Sequence, residues 1–503
     1  MLVLAAACVV NPVTGERELG IISTEQQISM GKQQYVPAQQ MQGGQYIVDP
    51  GVTAYVQQVG QRIAAVSDVA LPYEFVVLNN SVPNAWALPG GKIAVNRGLL
   101  VELRNEAELA AVLGHEVVHA AARHGARRVE RGMLLQGAMV AAAIGTRNQQ
   151  YAGAVVGVAQ QAAGMMSLKY GRDDEREGDY YGTRYMAEAG YDPYAAVSLQ
   201  EVFLKLSGDK KTSWMQGLLS SHPPSAERVA NNKGLVSQLR AEGFQGGEFG
   251  SDRFQSAIRP LKDDAAAYKA YDNAQQAYRD KDYAAALTNL QPALDGQYKE
   301  AAFHGLRGDI RYQQKRYGDA ITNYTRAIER HGDYFSYYLG RGMARSQENE
   351  RQLAKADLNR SVELLPTAIA YNELGSIAER NGNTDEAVRY YEAAAKSQGQ
   401  TARTAYSNML RLDLPRQPAR YVQARVAIDN EGRLILQVSN ATPVALELVR
   451  LQVELRTADG KTQRYSRTVE RLAAEASAML RLPDPGVQIV DATVRPVAAQ
   501  ISR

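Results

Sequence analysis

His115, Glu116 and His119 form the run His-Glu-Val-Val-His, the stretch of this chain with the clearest chemical content. On an α-helix, two histidines four positions apart lie about 40° apart around the axis, one turn above the other. Both imidazoles then reach a single metal ion. Glu116 projects about 100° away from His115, so it flanks that metal, where a carboxylate can take a proton from water. The neighbouring residues supply the helix. Asn105-Glu106-Ala107-Glu108 reads as a capped start, and the helix is expected to run to about His124 and stop at Gly125. Leu109, Leu113, Val117 and Ala120 form the opposite stripe, which faces a core. With only 6 histidines in 503 residues, this grouping points to metal-assisted hydrolysis.

A hydrolytic zinc takes three protein ligands and keeps a fourth position open. His124 lies off the ligand face, followed by Gly125 and two arginines, and reads as a solvated helix end. No histidine or cysteine lies between it and His222, so the third ligand is expected to be a carboxylate. Asp173-Asp174-Glu175-Arg176-Glu177-Gly178-Asp179 opens a helical stretch reaching Gly190. Acids at a helix start also simply complement the macrodipole, and the residues alone do not choose among these five. His222-Pro223, followed by Arg228, leaves three readings open: a turn histidine, a cap on the open metal position, or an oxyanion donor. The approach Gln216-Gly-Leu-Leu-Ser-Ser221 is suited to movement.

These residues must be positioned by a multidomain chain, about three domains by length. A net charge of +3 gives no footprint for nucleic acid. No segment offers the roughly 20 uninterrupted apolar residues that span a bilayer; Met133–Gly145 and Gly153–Leu168 come nearest. The single cysteine, Cys8, excludes an internal disulfide framework. Residues 1–19 read as a signal remnant and N-terminal segment, where Met1-Leu2-Val3-Leu4-Ala5-Ala6-Ala7-Cys8 looks like the end of a lipoprotein signal with Cys8 as the lipidated residue. Tyrosine is over-represented, 28 against 7 Phe, chiefly between Tyr268 and Tyr391.

Residues 20–255 mix helical and strand patterns and close on the turn-prone Glu242–Ser251. From 265 to 410 the pattern is helical and repeats. Small residues recur at Ala274, Gly308, Gly342 and Gly375, spaced 34, 34 and 33. They are echoed by Ala286, Ala320, Ala354 and Ala387, then by Ala293, Ala327, Ser361 and Ala394. This is the grammar of a helix–turn–helix solenoid whose close crossings leave no room for side chains, and it resembles the tetratricopeptide repeat. From 420 to 503 the apolar residues alternate, as in Val422, Ala424, Val426 and Ile428, between turns at Asn430-Glu431-Gly432, Asn440 and Asp459-Gly460. A small antiparallel β-sandwich is expected there.

Phe75–Leu100, with its Asn84-Ala-Trp-Ala-Leu-Pro-Gly-Gly-Lys-Ile-Ala-Val-Asn-Arg-Gly-Leu-Leu100, then His115–His119, then Glu175-Arg176-Glu177-Gly178-Asp179, resemble peptidase family M48 in order and spacing. Its soluble, periplasmic members follow the peptidase domain with tetratricopeptide repeats. The resemblance implies a mainly α, zincin-like domain with a small sheet and one zinc per chain on His115, His119 and Glu175. It implies Glu116 as general base, Asp179 as the group orienting a ligating histidine, and a role for the His222…Arg228 element. Gly178 replaces the family's usual alanine, a change not expected to move the ligand. Pro89–Val95 is expected to be an edge strand that receives an extended substrate. Implied substrates are unfolded or misassembled envelope proteins, with outer-membrane assembly machinery as a partner of the repeats. A gated assembly factor with little basal proteolysis is the alternative. The β domain lies outside the resemblance.

Overall fold

The computed structural model describes residues 8–133, 170–208, 222–223, 225–428, 433–483, 486 and 488–502. The chain divides into two compact units, Met1–Glu350 with Glu363–Leu365, and Arg351–Val362 with Pro366–Arg503. The division falls within the repeat array.

The first unit begins with a two-stranded ribbon, β1 (Cys8–Val10) and β2 (Arg17–Leu19). Helix α1 (Thr24–Met41) starts from a reciprocal Ser23–Gln26 capping box, and α2 (Pro50–Ala64) from Asp49 with proline at its first position. The sheet that follows has the order β3 (Glu74–Leu78), β5 (Lys92–Asn96), β4 (Ala85–Leu88). Strand β5 pairs parallel with β3 and antiparallel with β4. The expectation that Pro89–Val95 is an edge strand is therefore corrected: β5 is central, and β4 is the edge that lies beside the ligand helix. Every residue of β5 is buried, as the continuous apolar run of a two-faced strand requires. The β4–β5 turn uses Gly90 and Gly91 at φ 77 and 85, a region other residues avoid.

After the short α3 (Arg97–Leu100), helix α4 (Glu106–Ala121) runs through the middle of the core, packed against α2 and the sheet. Helices α5 (Arg172–Glu188), α6 (Tyr194–Gly208) and α7 (Ala226–Ala241) complete the peptidase region. The first repeats pack on it through polar and cation–π contacts. Ser81 donates to Asp272 at 2.7 Å, Asn79 to Glu300 at 3.0 Å, and the Arg97 guanidinium lies 3.4 Å over the Tyr268 ring.

Four helix pairs follow the repeat, starting at Ala265–Arg279 with Tyr283–Gly296 and ending at Ala368–Arg380 with Thr384–Ala395. The recurring small residues are fully buried at Ala274, Ala286, Ala320, Ala354, Ser361 and Ala394. A Cβ on Gly308 would lie 2.8 Å from the Tyr324 ring, and one on Gly375 2.7 Å from that of Tyr391. A glycine-to-tyrosine contact thus closes the second and fourth helix pairs.

In the second unit, six strands make two antiparallel sheets, ordered β10 (Ser477–Arg481), β7 (Leu434–Asn440), β6 (Val422–Ile428) and β11 (Ile489–Ile501), β8 (Leu446–Thr457), β9 (Thr462–Leu472). Leu436, Val438, Val449, Leu451 and Val453 are buried in one cluster with Tyr391, Met409 and Leu410. The β layers and the last helices therefore share a core. The proposed turn at Asn430-Glu431-Gly432 lies outside the described residues. No helix among the described residues is long and apolar enough to cross a membrane. Gly153–Leu168, and Met133–Gly145 beyond its first residue, lie outside them.

Candidate metal centre

The Asn105 side chain accepts the Glu108 backbone N–H at 2.9 Å, fixing the start of α4. All 16 residues of the helix are buried. It ends before Gly125, because the backbone turns at Arg123, which adopts the left-handed region at φ 61. Such a conformation costs of order 1 kcal/mol or more. Three contacts offset that cost: the Arg123 guanidinium meets Glu18 at 2.8 Å, Glu130 at 3.0 Å and the Ile22 carbonyl at 3.1 Å.

Helix α5 crosses α4 at two glycines. A Cβ on Gly182 would stand 2.7 Å from the His115 backbone nitrogen, and one on Gly114 2.7 Å from the Gly182 carbonyl oxygen. The helices touch backbone to backbone, and this contact brings the acids of α5 to the histidines of α4. One turn earlier, a Cβ on Gly178 would meet the His115 ring at 2.6 Å. Alanine at 178 would thus have to displace the ring, while with glycine here Glu175 stands in the cluster. Gly182→Val is expected to weaken zinc retention at least tenfold and to cost roughly 1–3 kcal/mol of stability, since it forces the crossing apart. Chelator competition and thermal melting measure the two effects, and unchanged values in both would leave the crossing without this role.

His115, His119, Glu175 and His222 converge, each offering one ligand atom within 4.8 Å of the others. His119 Nε2 lies 3.0 Å from His115 Nε2, which lies 3.2 Å from His222 Nδ1. Glu175 Oε1 stands 2.8 Å from His222 Nδ1 and 3.7 Å from His119 Nε2. Tetrahedral zinc with bonds of about 2.0–2.2 Å sets its ligand atoms about 3.3–3.6 Å apart, so the donor set fits the ion. Charge agrees. Burial opposes it, yet His222 and His115 pull Glu175 below the usual carboxylate range. Burial likewise opposes a charge on His222, yet Glu175 and Glu116 draw its imidazole upward. The pocket calls for positive charge at this point.

Glu116 stands beside the cluster, its Oε1 3.4 Å from His222 Nε2, and burial pushes its carboxyl up. Its Oε2 is buried without a hydrogen-bond partner, as is His222 Nε2. Asp179 Oδ1 lies 3.2 Å from His115 Nδ1. Arg228 grips Asp179 with Nε at 2.7 Å and Nη2 at 2.6 Å and places Nη1 3.0 Å from Glu175 Oε2. Burial would raise Asp179, but Arg228 outweighs it and holds the carboxyl at about 2.

Residues 50–236 match peptidase family M48, and residues 271–335 and 339–403 the tetratricopeptide repeat. The domain belongs to family M48. The chain is 26% identical over 352 residues to a beta-barrel assembly-enhancing protease of Yersinia pestis, covering 64% of this chain and 70% of that one. It is 31% identical over 222 residues to the mitochondrial metalloendopeptidase OMA1 of Schizosaccharomyces pombe, covering 43% of this chain and 63% of the yeast protein. A Vibrio cholerae relative is 30% identical over 199 residues, 38% of this chain and 40% of that one. Residues 50–236 thus form an M48 metallopeptidase domain, followed by tetratricopeptide repeats.

The M48 domain also contains residues that sequence reasoning missed. His124 is not solvated: it is 1% exposed. The turn at Arg123 brings its Nδ1 to 2.6 Å from His119 Nδ1, while its Nε2 meets Glu177 at 2.9 Å. Glu177 therefore faces away from the ligand cluster and pairs with His124 and, at 3.2 Å, Arg127. This chain of contacts sets the orientation of the His119 ring, the task such partners perform behind metal-bound histidines. Tyr170 stacks on His119 with ring centroids 3.7 Å apart and donates its hydroxyl to the Ala87 carbonyl of β4 at 3.3 Å. A continuing helix would have carried His124 away from His119, and nothing in the residue types marks Arg123 as left-handed.

Proposed function

We propose that this chain is a zinc-dependent endopeptidase acting on unfolded or misassembled envelope proteins in the periplasm, tethered by a lipid on Cys8. The observation that carries the reading is the convergence of His115 Nε2, His119 Nε2 and Glu175 Oε1 with the Glu116 carboxylate alongside. The relatives named for β-barrel assembly favour outer-membrane proteins as clients, with the repeats as the docking element. Cleavage of casein by the purified protein, abolished by a chelator and restored by zinc, tests the activity. Casein left intact in the presence of zinc would overturn it.

Zinc in this site would activate a water and polarise the scissile carbonyl. The protein's own groups do the rest. Glu116 accepts the water's proton and returns it to the leaving amine. Asp179 accepts the His115 Nδ1–H, leaving Nε2 free to ligate, and Arg228 keeps Asp179 ionised. An extended substrate pairs with the β4 edge, Ala85–Leu88, and displaces the Tyr170 hydroxyl from Ala87.

His222 favours a gated enzyme. Its Nδ1 occupies the fourth corner of the cluster, the position a hydrolytic site leaves open. On this reading His222 is a latch that yields to substrate; the Gln216–Ser221 approach lies outside the described residues. His222→Ala is expected to raise basal casein cleavage while zinc stays bound by three ligands. A fall of about 10²-fold or more at unchanged KM would instead make His222 an oxyanion donor.

A further inference from the structure

A cavity opens beside the converging ligand atoms, where the helices of the site meet. Helix α4 lines it with Ala111 and Val112, one turn before His115 and Glu116, which line it too. Helix α6, packed against α4, presents Ala196, Leu199 and Phe203. These lie at i, i+3 and i+7, so one stripe of α6 faces the space. None of the three belongs to the ligand cluster.

The walls are hydrocarbon. Ala111, Val112, Ala196, Leu199 and Phe203 are each at most 6% exposed. Thr183, also in the lining, turns its hydroxyl to the Asp179 carbonyl at 2.7 Å. Protein interiors leave few voids larger than a water molecule, and an unfilled apolar void costs stability. This cavity has a volume of about 40 Å³. At roughly 10–15 Å³ for each water-sized group, that is room for about three of them. The branched end of valine, isoleucine or leucine is of that size, and an aromatic ring is about twice as large. Alanines at 111 and 196 leave the space that longer side chains would fill.

We propose that this cavity is a specificity pocket, and that it takes the side chain of valine, isoleucine or leucine from the residue whose nitrogen leaves the scissile bond. The side of the bond follows from Glu116. It lines the cavity and returns the proton to the leaving amine, so the residue carrying that amine lies on the cavity's side. The path follows from Ala85, the first residue of the β4 edge, which also lines the cavity. A substrate paired with that edge passes the mouth of the pocket. The inference rests on reading the chain as an endopeptidase and adds the class of residue at which it cuts.

Mass-spectrometric mapping of the cuts made in casein by the zinc-loaded full chain is the test. Valine, isoleucine and leucine are expected directly after the cut at least about tenfold above glycine and above phenylalanine, the discrimination that a hydrophobic pocket gives. Ala196→Leu should move the preference towards glycine and alanine, and Phe203→Ala towards phenylalanine and tyrosine. Each shift is a ratio read within one preparation, so a loss of folded enzyme does not imitate it. Cuts without preference for the following residue, a preference confined to the preceding one, or ratios unmoved in both variants would overturn the proposal. So would threonine ahead of valine, which would assign the pocket to a hydrogen bond with Gln200 Oε1, buried in the lining without a partner. Casein left intact would overturn the endopeptidase reading instead, and fluorescence anisotropy would then read the pocket. Labelled decapeptides of glycine and serine with one central leucine should bind the full chain at least about tenfold more tightly than those with alanine. Equal affinity there would overturn the pocket as well.

Discussion

Glu116→Gln should keep one zinc per chain and lose about 10²–10⁴-fold in hydrolysis of an unfolded protein. The substitution preserves shape and removes the base. Gln retains an oxygen toward His222 Nε2, so the contact at 3.4 Å can persist, and none of the four converging atoms belongs to Glu116. An amide does not take a proton from water, so the step that makes the nucleophile is the one lost. Elemental analysis and casein turnover, measured on the same preparation, separate the two effects. Zinc lost together with activity would make Glu116 a ligand or a structural support. Turnover within a few-fold of the wild type would remove it from the chemistry.

Glu175→Gln should lose both zinc and turnover, and Glu177→Gln should keep most of its zinc. Glu175 puts Oε1 into the cluster, while Glu177 meets His124 and Arg127 on the far side of His119. The neutral amide at 175 also strips the site of the carboxylate that His222 and Arg228 face, leaving Asp179 as the carboxylate that pairs with Arg228. Burying a cation without that negative charge is expensive. Zinc retained in Glu175→Gln and lost in Glu177→Gln would reverse the assignment. A modest drop in zinc affinity in Glu177→Gln is expected through His124 and the orientation of the His119 ring.

The ligand helix was legible in the sequence because its signals are local. Asn105 at the cap, the i, i+4 histidines and the apolar residues around them all act within one helix, where 3.6-residue periodicity relates sequence to direction. The repeats were legible for a similar reason, since each fully buried alanine marks the same crossing in successive units. The strand order was not. Whether β5 lies at an edge depends on where β3 docks, a contact between segments separated by β4. Even so, its run of buried apolar residues carried a hint of the central position.

By itself, the sequence determined the residue types that can hold and use a metal, the helix presenting two of them, the solenoid period and the alternation of the β domain. Each is set by chain neighbours within a few turns. Tertiary structure alone decided the rest. The residues alone left five acids open and only the family resemblance pointed to Glu175; its place in the cluster, with Glu177 outside it, follows where α5 meets α4 at the Gly114–Gly182 contact. The burial of His124 rests on one left-handed residue held by Glu18 and Glu130, and the place of His222 on a segment more than 100 residues from His115. These are contacts between distant parts of the chain, and no local pattern encodes the angle at which two helices cross.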